Sequence, residues 1–252
     1  MMVMVCRVLP HEVADGPSNM ALDEALLDSV AAGPSAAAVR TYGWSTPTLS
    51  LGYFQRAAEA ESDPRWRAVA MVRRPTGGGA LWHDREVTYA VVVPADHPAA
   101  RPASALYRAI HEAIAARLRD LGVPASRRGE PAGPVGSGPR PFLCFLDRDP
   151  GDVVVGGVKV VGGAQRRRSG AVLQHGSLLL ARSPTTPELP GLADLDPNPT
   201  ADASRWGDLL RSVLPGALGL DARGDSFRPD ERGRAELLRH DVYSRDRWTR
   251  RR

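Results

Sequence analysis

Cysteine, lysine and aromatic residues are scarce in this chain of 252 residues. Its two cysteines, Cys6 and Cys144, are too few for a disulfide framework, and the absence of a C-x-x-C pair argues against structural zinc. No apolar run approaches the roughly 20 residues of a membrane-spanning helix. The first residues also lack the basic and apolar regions of a signal peptide. We therefore expect a soluble, cytoplasmic protein with free thiols.

Arginine supplies nearly all of the positive charge. The chain has 33 Lys+Arg against 29 Asp+Glu, and Lys159 is the only lysine. Arginines cluster at residues 166–168 and 245–252, where they could attract an acidic partner. No nucleic-acid-reading motif accompanies them, so nucleic acid is not predicted as a partner. Histidines and carboxylates lack metal-ligand spacing, so no metal is predicted.

The apolar pattern predicts an α/β (or α+β) domain whose strands are connected by hairpins. Helices are expected over residues 19–32, with Ser18 as N-cap, and over residues 103–121. Gly156-Gly157 predicts a two-residue hairpin turn, and residues 125–140 read as a loop. Runs of β-branched and aromatic residues predict strands at 3–9, 38–42, 49–51, 68–73, 80–83, 88–93, 152–155, 158–165 and 171–181.

Beyond residue 182 the sequence changes character. Residues 183–204 are rich in proline and aperiodic, and short helices are expected over 205–214 and 229–239. This tail is too short for a core of its own. We therefore expect a single catalytic domain over residues 1–252, with its core at about 1–182 and a tail at 183–252 that forms no accessory domain.

A glycine loop is the first candidate for a functional site. Gly77, Gly78 and Gly79 follow Arg73 and Arg74. Three glycines let the backbone approach a ligand closely, and guanidiniums beside exposed N–H groups suit an anionic or carbonyl-bearing ligand. The same residues also fit a flexible hairpin loop. Their spacing is neither that of a P-loop nor that of a dinucleotide fingerprint.

Cys144 and Lys159 are the second candidate. Lys159 lies in an apolar strand where a lysine needs a polar task or an exit to water. Cys144 follows the loop predicted over residues 125–140 and precedes charged residues. This context favours a position at the entrance of a site over one in the core, although a free cysteine is usually a buried small hydrophobe. An ammonium close to this thiol would favour its thiolate, the form that attacks. Cys6 fits a structural role better.

Two histidines complete the candidates. His83 and His175 each lie beside or within a predicted strand. Either could serve as a general base, and either could equally be a hydrogen-bonded structural residue.

Several segments together resemble the lipoate–protein ligase A/octanoyltransferase family. They are the early helix SNMALDEALL, the turn PTLSLGYFQ, the loop RRPTGGGALWH, the strand KVVGGAQ, the strand QHGS and the ending YSRDRW. Their order along most of the chain makes the resemblance far more specific than any single motif. It implies the catalytic-domain fold of biotin and lipoate protein ligases: one mixed, largely antiparallel sheet flanked by helices, with an acyl tunnel beside the glycine loop.

The resemblance also implies chemistry. Cys144 resembles the nucleophile of cysteine-dependent octanoyltransferases, and Lys159 would stabilise its thiolate. An acyl-carrier protein would be the donor and a lipoyl-domain or glycine-cleavage carrier protein the acceptor, with no cofactor and with the enzyme as a monomer. The residues expected to bind substrate are Arg74, Gly77, Gly78, Gly79, His83, Gly162, Ala164 and His175.

Two other functions stay open. An ATP-dependent lipoate ligase would use Mg-ATP, with Lys159 and the glycine loop on the phosphate. A non-catalytic binding module would shuttle acylated carriers and leave Cys144 unreactive. The short tail and the cysteine favour the transferase, because the ligases do not need this cysteine and often carry a further C-terminal domain.

Overall fold

A computed structural model of the protein describes residues 4–33, 36–129, 140–168, 170–197 and 201–251. Its strands are β1 (Val5–Val8), β2 (Glu12–Ala14), β3 (Ala37–Trp44), β4 (Thr48–Leu51), β5 (Ala70–Arg73), β6 (Leu81–His83), β7 (Glu86–Pro94), β8 (Ala125–Arg127), β9 (Val153–Val155), β10 (Val158–Arg168), β11 (Ala171–Leu179) and β12 (Asp221–Gly224). Its α-helices are α1 (Gly16–Ala32), α2 (Ala57–Ser62), α3 (Ala103–Asp120), α4 (Leu192–Leu195), α5 (Ala203–Ala217), α6 (Pro229–Leu238) and α7 (Asp246–Thr249).

The described strands form two sheets. The larger sheet has the order β12-β1-β3-β7-β11-β10-β9-β8, with β2 paired to β3. Pairs from β3 through to β8 are antiparallel, whereas β1 runs parallel to both β12 and β3. The smaller sheet has the order β5-β4-β6. The prediction of a mixed, largely antiparallel sheet with flanking helices is confirmed. The expectation of one sheet is wrong, because β4, β5 and β6 pair with one another in a second sheet.

Each face of the larger sheet carries its own layer of helices. Helices α3 and α5 pack with alternate sheet residues such as Val39 and Val91 in one apolar cluster. Helices α1 and α6 pack with the intervening residues, such as Ala38 and Val92, in another. Successive side chains of a strand point to opposite faces, so the sheet is buried on both sides. This is why its central strands are continuous apolar runs rather than alternating ones.

The tail belongs to the core. Trp206, Leu210 and Leu214 on α5 are buried against α3 and the sheet, and Ala235 and Leu238 on α6 are buried against α1. Strand β12 extends the sheet beyond β1. The expected core boundary near residue 182 is therefore wrong, because residues beyond it complete both helical layers.

Local details of the prediction are also tested. Helix α1 starts at Gly16, and its cap is Asp15, whose carboxylate accepts from the Ser18 N–H at 2.8 Å, so Ser18 is not the N-cap. The turn between β9 and β10 is confirmed, with Gly156 at φ 57° and Gly157 at φ 81°. Residues 125–127 of the expected loop form β8. The rest of that loop from 130 to 139, and residue 3 of the first predicted strand, lie outside the described residues.

Candidate active site

A bulge in β10 directs Lys159 toward Cys144. The register with β9 shifts between Lys159 and Val161, and both Val160 and Val161 pack in the apolar cluster beneath α3. Because strand side chains otherwise alternate, this extra residue allows Lys159 and Gly162 to share the opposite face. A Cβ on Gly162 would lie 2.6 Å from Lys159 Cε, so glycine makes room for the lysine side chain.

Three acceptors surround the ammonium group of Lys159. Its Nζ lies 3.0 Å from Asp152 Oδ1, 3.0 Å from the backbone oxygen of Cys144 and 3.9 Å from Cys144 Sγ. The Phe145 ring centre is 5.3 Å away. An ammonium has three hydrogens, which matches three acceptors. The lysine is buried, so the alternative of a strand-edge lysine pointing to water is wrong.

Cys144 begins a single 3₁₀ turn, Cys144–Leu146, that is bound to the end of the glycine loop. The Cys144 N–H donates to Ala80 O at 2.8 Å, and the Ala80 N–H donates to Phe142 O at 2.7 Å. A Cβ on Gly79 would lie 2.9 Å from Phe142 O and 3.0 Å from Cys144 N. Glycine at position 79 therefore permits the contact between the loop and the cysteine segment.

The second thiol differs from the first. Cys6 on β1 is fully buried, and burial raises its pKa to about 12. Cys144 is partly exposed. Since the thiolate is the nucleophile, Cys6 stays an unreactive core residue at neutral pH, in agreement with its expected structural role.

Arg74 organises the glycine loop from within. Its guanidinium donates to Thr76 Oγ1 and to the backbone oxygens of Ser50, Gly77 and Gly79, over distances of 2.6–3.1 Å. Burial lowers its pKa. From the sequence, this guanidinium was expected to bind a ligand. Its donors instead satisfy loop oxygens, because a loop of glycines has no side chains to do so.

The glycine loop is also interlocked with the turn after β4. Gly78 has φ 89°, a conformation that favours glycine, and a Cβ on Gly52 would lie 1.9 Å from Gly78 O. Gln55 accepts from the Gly52 N–H at 2.9 Å and donates to Phe142 O at 3.1 Å. The glycine and glutamine of the PTLSLGYFQ segment thus hold the loop against the cysteine segment.

Arg73 attaches the C-terminal segment to this assembly. It donates to the backbone oxygens of Gly52, Gln55 and Thr249, at 2.8 Å each. In return Trp248 Nε1 donates to Arg73 O at 2.9 Å. One buried guanidinium therefore joins α7 to the turn beside the glycine loop.

A cavity opens beside Cys144. The space between its lining atoms amounts to about 410 Å³, open solvent at its mouth included. Its floor is a row of paired residues on four adjacent strands: Tyr42, Thr88, Ser177 and Gly162. The predicted site residues that line it are Arg74, His83, Cys144, Gly162, Ala164 and His175. Gly78 and Gly79 line a neighbouring groove, and Lys159 lines another together with Phe145.

His83 is bonded through both ring nitrogens. Nε2 lies 2.8 Å from Ser50 Oγ and Nδ1 lies 3.1 Å from Glu86 Oε1. The ring stacks on Trp44 with centres 3.7 Å apart. Burial lowers the pKa of His83, so the neutral ring is favoured. These contacts favour the structural alternative, and they leave the ring face toward the cavity.

His175 has the same character. Nδ1 lies 2.8 Å from Asp23 Oδ2, and Nε2 lies 2.6 Å from Thr76 Oγ1. Asp23 is fully buried and also accepts from Arg40 Nε at 2.8 Å. The histidine thereby connects α1 to the residue before the glycine loop. Both ring nitrogens of His175 are thus engaged. Like His83, it lines the cavity with hydrogen-bonding groups that already have partners in the protein.

Asp152 and Tyr107 were missed by the sequence analysis. Asp152 is fully buried, and its carboxylate accepts from Lys159, from Tyr107 Oη at 3.0 Å and from the Asp149 N–H at 2.8 Å. Burial raises the pKa of Asp152, and the Lys159 charge opposes that rise. Tyr107 Oη also accepts from the Gly163 N–H at 3.3 Å. One sequence signal could have identified Asp152: the predicted Gly156-Gly157 hairpin brings its carboxylate back toward Lys159, the only lysine in the sequence.

Comparison with known proteins places this site in a family. The sequence model for the lipoyl protein ligase A/B catalytic domain matches residues 15–186. The chain belongs to this family. It is 43% identical over 187 residues to octanoyltransferase LipM of Kyrpidia tusciae, an alignment that covers 71% of this chain and 67% of that protein. Alignments to other LipM proteins cover 60 to 65% of their lengths, so the chain spans about two thirds of such relatives.

Solved structures agree on the fold of this ligase family member. Protein Ta0514 from T. acidophilum, assigned to the lipoate protein ligases, superposes with a TM-score of 0.79 at 27% identity, covering 99% of this chain and 100% of that one. A lipoate-protein ligase A bound with ATP gives a TM-score of 0.71 at 26% identity, covering 98% and 99%. The resemblance to the family and the predicted fold class are confirmed.

Within residues 4–33, 36–129, 140–168, 170–197 and 201–251, no group of three or more His, Cys, Asp or Glu side chains could hold a metal ion. Among the helices described in those ranges, none combines the length and the apolar character needed to cross a membrane.

Proposed function

We propose that this protein transfers an octanoyl group to a lysine of a carrier protein through a thioester on Cys144. The observation that carries the proposal is the 3.9 Å contact between Cys144 Sγ and Lys159 Nζ beside the cavity. The LipM relatives support octanoyl as the group transferred. We further propose an acyl-carrier protein as donor and a lipoyl-domain or glycine-cleavage carrier protein as acceptor.

The reaction proceeds in two steps. The Cys144 thiolate attacks the carbonyl carbon of the donor thioester, a new C–S bond forms, the donor C–S bond breaks, and the donor leaves as a thiolate that takes a proton from solvent. The acceptor amine then attacks the enzyme thioester, a C–N bond forms, the C–S bond to Cys144 breaks, the nitrogen loses a proton to solvent, and Cys144 leaves as thiolate. The Lys159 ammonium stabilises the thiolate and the oxyanion of each step, a contribution of about 3 kcal/mol for a comparable donor.

The surroundings of the site support an acyl chain in the cavity. The ring nitrogens of His83 and His175 and the hydroxyl of Ser50 are engaged by other side chains, so they present little hydrogen-bonding capacity to a ligand. A thioester donor supplies the free energy of transfer, so we propose that no cofactor is needed. We also propose that the enzyme acts as a monomer in the cytoplasm, where thiols stay reduced.

Fewer unpaired arginine charges are available for the proposed docking of acidic carriers than the sequence suggested. At the turn of residues 166–168, Arg168 pairs with Glu24 and Asp28 of α1, and Arg166 lies over the Tyr53 ring at 5.2 Å. Arg167 is exposed. Electrostatic attraction of a carrier to this turn therefore rests on Arg166 and Arg167, since a cation–π contact leaves the positive charge of an arginine in place.

The test is replacement of the nucleophile. With S-octanoyl-N-acetylcysteamine as donor, the wild-type protein should gain one octanoyl group by intact mass, and Cys144→Ala should gain none and should not acylate an apo lipoyl domain. Cys6→Ala is the matched control and should behave as wild type, because Cys6 has no access to the cavity. Full acceptor acylation by Cys144→Ala would refute the proposal.

An ATP-dependent lipoate ligase is the second candidate, favoured by the similarity to an ATP-bound lipoate-protein ligase A. Against it, Arg73 and Arg74 direct their hydrogen bonds at backbone oxygens, not at a phosphate site. Free lipoate with Mg-ATP and apo acceptor should give no product under the transferase proposal. Product formation under those conditions would favour the ligase. The non-catalytic module predicts that wild-type Cys144 gains no octanoyl group.

A further inference from the structure

The proposed reaction delivers an acyl group to a lysine amine, yet the chain places its own lysine beside the thioester. Lys159 Nζ lies 3.9 Å from Cys144 Sγ. The carbonyl carbon of a thioester would be bonded to this sulfur, so a neutral amine here could approach that carbon to the roughly 3–3.5 Å from which reacting atoms combine. An ammonium has no lone pair and does not attack. The enzyme therefore needs Lys159 protonated.

The buried ammonium group needs a counter-charge. The Lys159 side chain is 4% exposed, and a charged group in a protein interior is stable only when it is paired. Asp152 provides the opposing charge, since its Oδ1 lies 3.0 Å from Nζ. Among the described residues, replacement of the carboxylate by an amide would leave the buried amine with no ion-pair partner except the sulfur that acylation consumes.

The carboxylate itself is fixed in place. Tyr107 Oη donates to Oδ1 of Asp152 and the Asp149 N–H donates to Oδ2, so both oxygens are engaged. Tyr107 is held in turn by the Gly163 N–H of the strand that carries Lys159. Tyr107 of helix α3 thereby links the Asp152 carboxylate to the strand that holds the Lys159 ammonium.

We propose that Asp152 is a positioning residue that protects Lys159 from acylation by the enzyme's own thioester, an inference that rests on the proposed function. Without the carboxylate, the Lys159 amine attacks the thioester carbonyl carbon. A C–N bond forms, the C–S bond breaks, and Cys144 leaves as a thiolate that takes the proton lost by nitrogen. The amide product is permanent and removes the ammonium from the site.

Hydroxylamine distinguishes the two products, because it cleaves a thioester and leaves an amide intact. Full-length protein is incubated with S-octanoyl-N-acetylcysteamine, and its intact mass is read before and after neutral hydroxylamine. The wild-type adduct should disappear. Asp152→Asn should accumulate at least tenfold more resistant adduct, located on Lys159 by peptide mass. The double variant Asp152→Asn/Lys159→Arg should form no resistant adduct.

Glu231→Gln is the matched control. It breaks another buried ion pair, that of Arg7 and Glu231, far along the chain from the cysteine segment. This variant should lose stability while its adduct stays hydroxylamine-labile. If Asp152→Asn does not fold, Tyr107→Phe takes its place, because it removes one donor that holds the carboxylate.

The outcomes separate the two proposals. A wild-type protein without any adduct would overturn the proposed function, and this inference with it. A wild-type thioester together with a fully hydroxylamine-labile adduct on folded Asp152→Asn, or on Tyr107→Phe where that variant is used, would overturn only the inference. A resistant adduct on Glu231→Gln would also overturn it, since general destabilisation would then suffice.

Discussion

At the scale of single residues, Lys159 can occupy its position only because residue 162 is a glycine. Gly162 lies where a Cβ would be 2.6 Å from Lys159 Cε and 3.1 Å from Nζ. The strand cannot yield easily there, because β11 is paired to it at Gly162. The lysine must therefore move if the glycine is replaced.

Gly162→Ala should accordingly displace the ammonium from Cys144 and slow thioester formation at least tenfold, which corresponds to about 1.4 kcal/mol of activation free energy. Single-turnover acylation by S-octanoyl-N-acetylcysteamine measures the rate. Gly216→Ala is the control and should react as wild type, since nothing lies within 4 Å of its added Cβ. A wild-type rate for Gly162→Ala would show that the lysine position is unimportant.

Single residues also explain why part of the site could be predicted. Cys144 and Lys159 drew notice because each is an unusual residue in its segment, and the resemblance to a family gave them a role. Asp152 did not, because an aspartate that follows Asp-Pro-Gly and begins a predicted strand is an ordinary residue at the boundary of a turn. Its contact with Tyr107 spans 45 residues, and only the packing of α3 brings the two together.

At the scale of elements, local pairings were predictable and distant ones were not. Strands β9 and β10 were found because two glycines and two valine-rich runs define a hairpin. Strand β12 was missed, since Asp221–Gly224 is exposed and has no strand-like pattern. It exists because β1 offers it a parallel edge, and parallel partners are remote in sequence.

Helices α5 and α6 were predicted, but not their place in the core. A chain ending at residue 182 should therefore fail to fold. It would lack the buried side chains of Trp206, Leu210 and Leu214, each worth roughly 1.5–3 kcal/mol, against a total stability of about 5–15 kcal/mol. Urea unfolding followed by circular dichroism measures this. A cooperative transition in the fragment would show that residues 1–182 are self-sufficient.

At the scale of the whole molecule, buried histidines make stability depend on pH. His111 on α3 is fully buried between Tyr89 Oη and Gly151 O, and burial lowers its pKa to about 3. Burial also lowers the pKa of His83 across the sheet. Between pH 6.5 and 3 the unfolded chain thus binds a proton at His111 that the folded chain does not.

The free energy of unfolding should therefore fall as the pH is lowered below about 6.5, by about 1.4 kcal/mol per pH unit for His111 alone. Urea titrations between pH 7 and pH 5 measure the slope. His111→Asn should flatten it, and His240→Gln should not, because His240 is exposed. An unfolding free energy that is constant over this range would contradict the assignment.

The floor of the cavity has a consequence for substrate length under the proposed function. Tyr42, Thr88, Ser177 and Gly162 mark four adjacent strands, and three interstrand steps of about 4.8 Å span roughly 14 Å. The backbone hydrogen bonds between the strands therefore fix the length of this row. Side-chain substitutions leave the strand spacing unchanged, so a preference for longer acyl chains would have to arise from other lining residues, such as Met20.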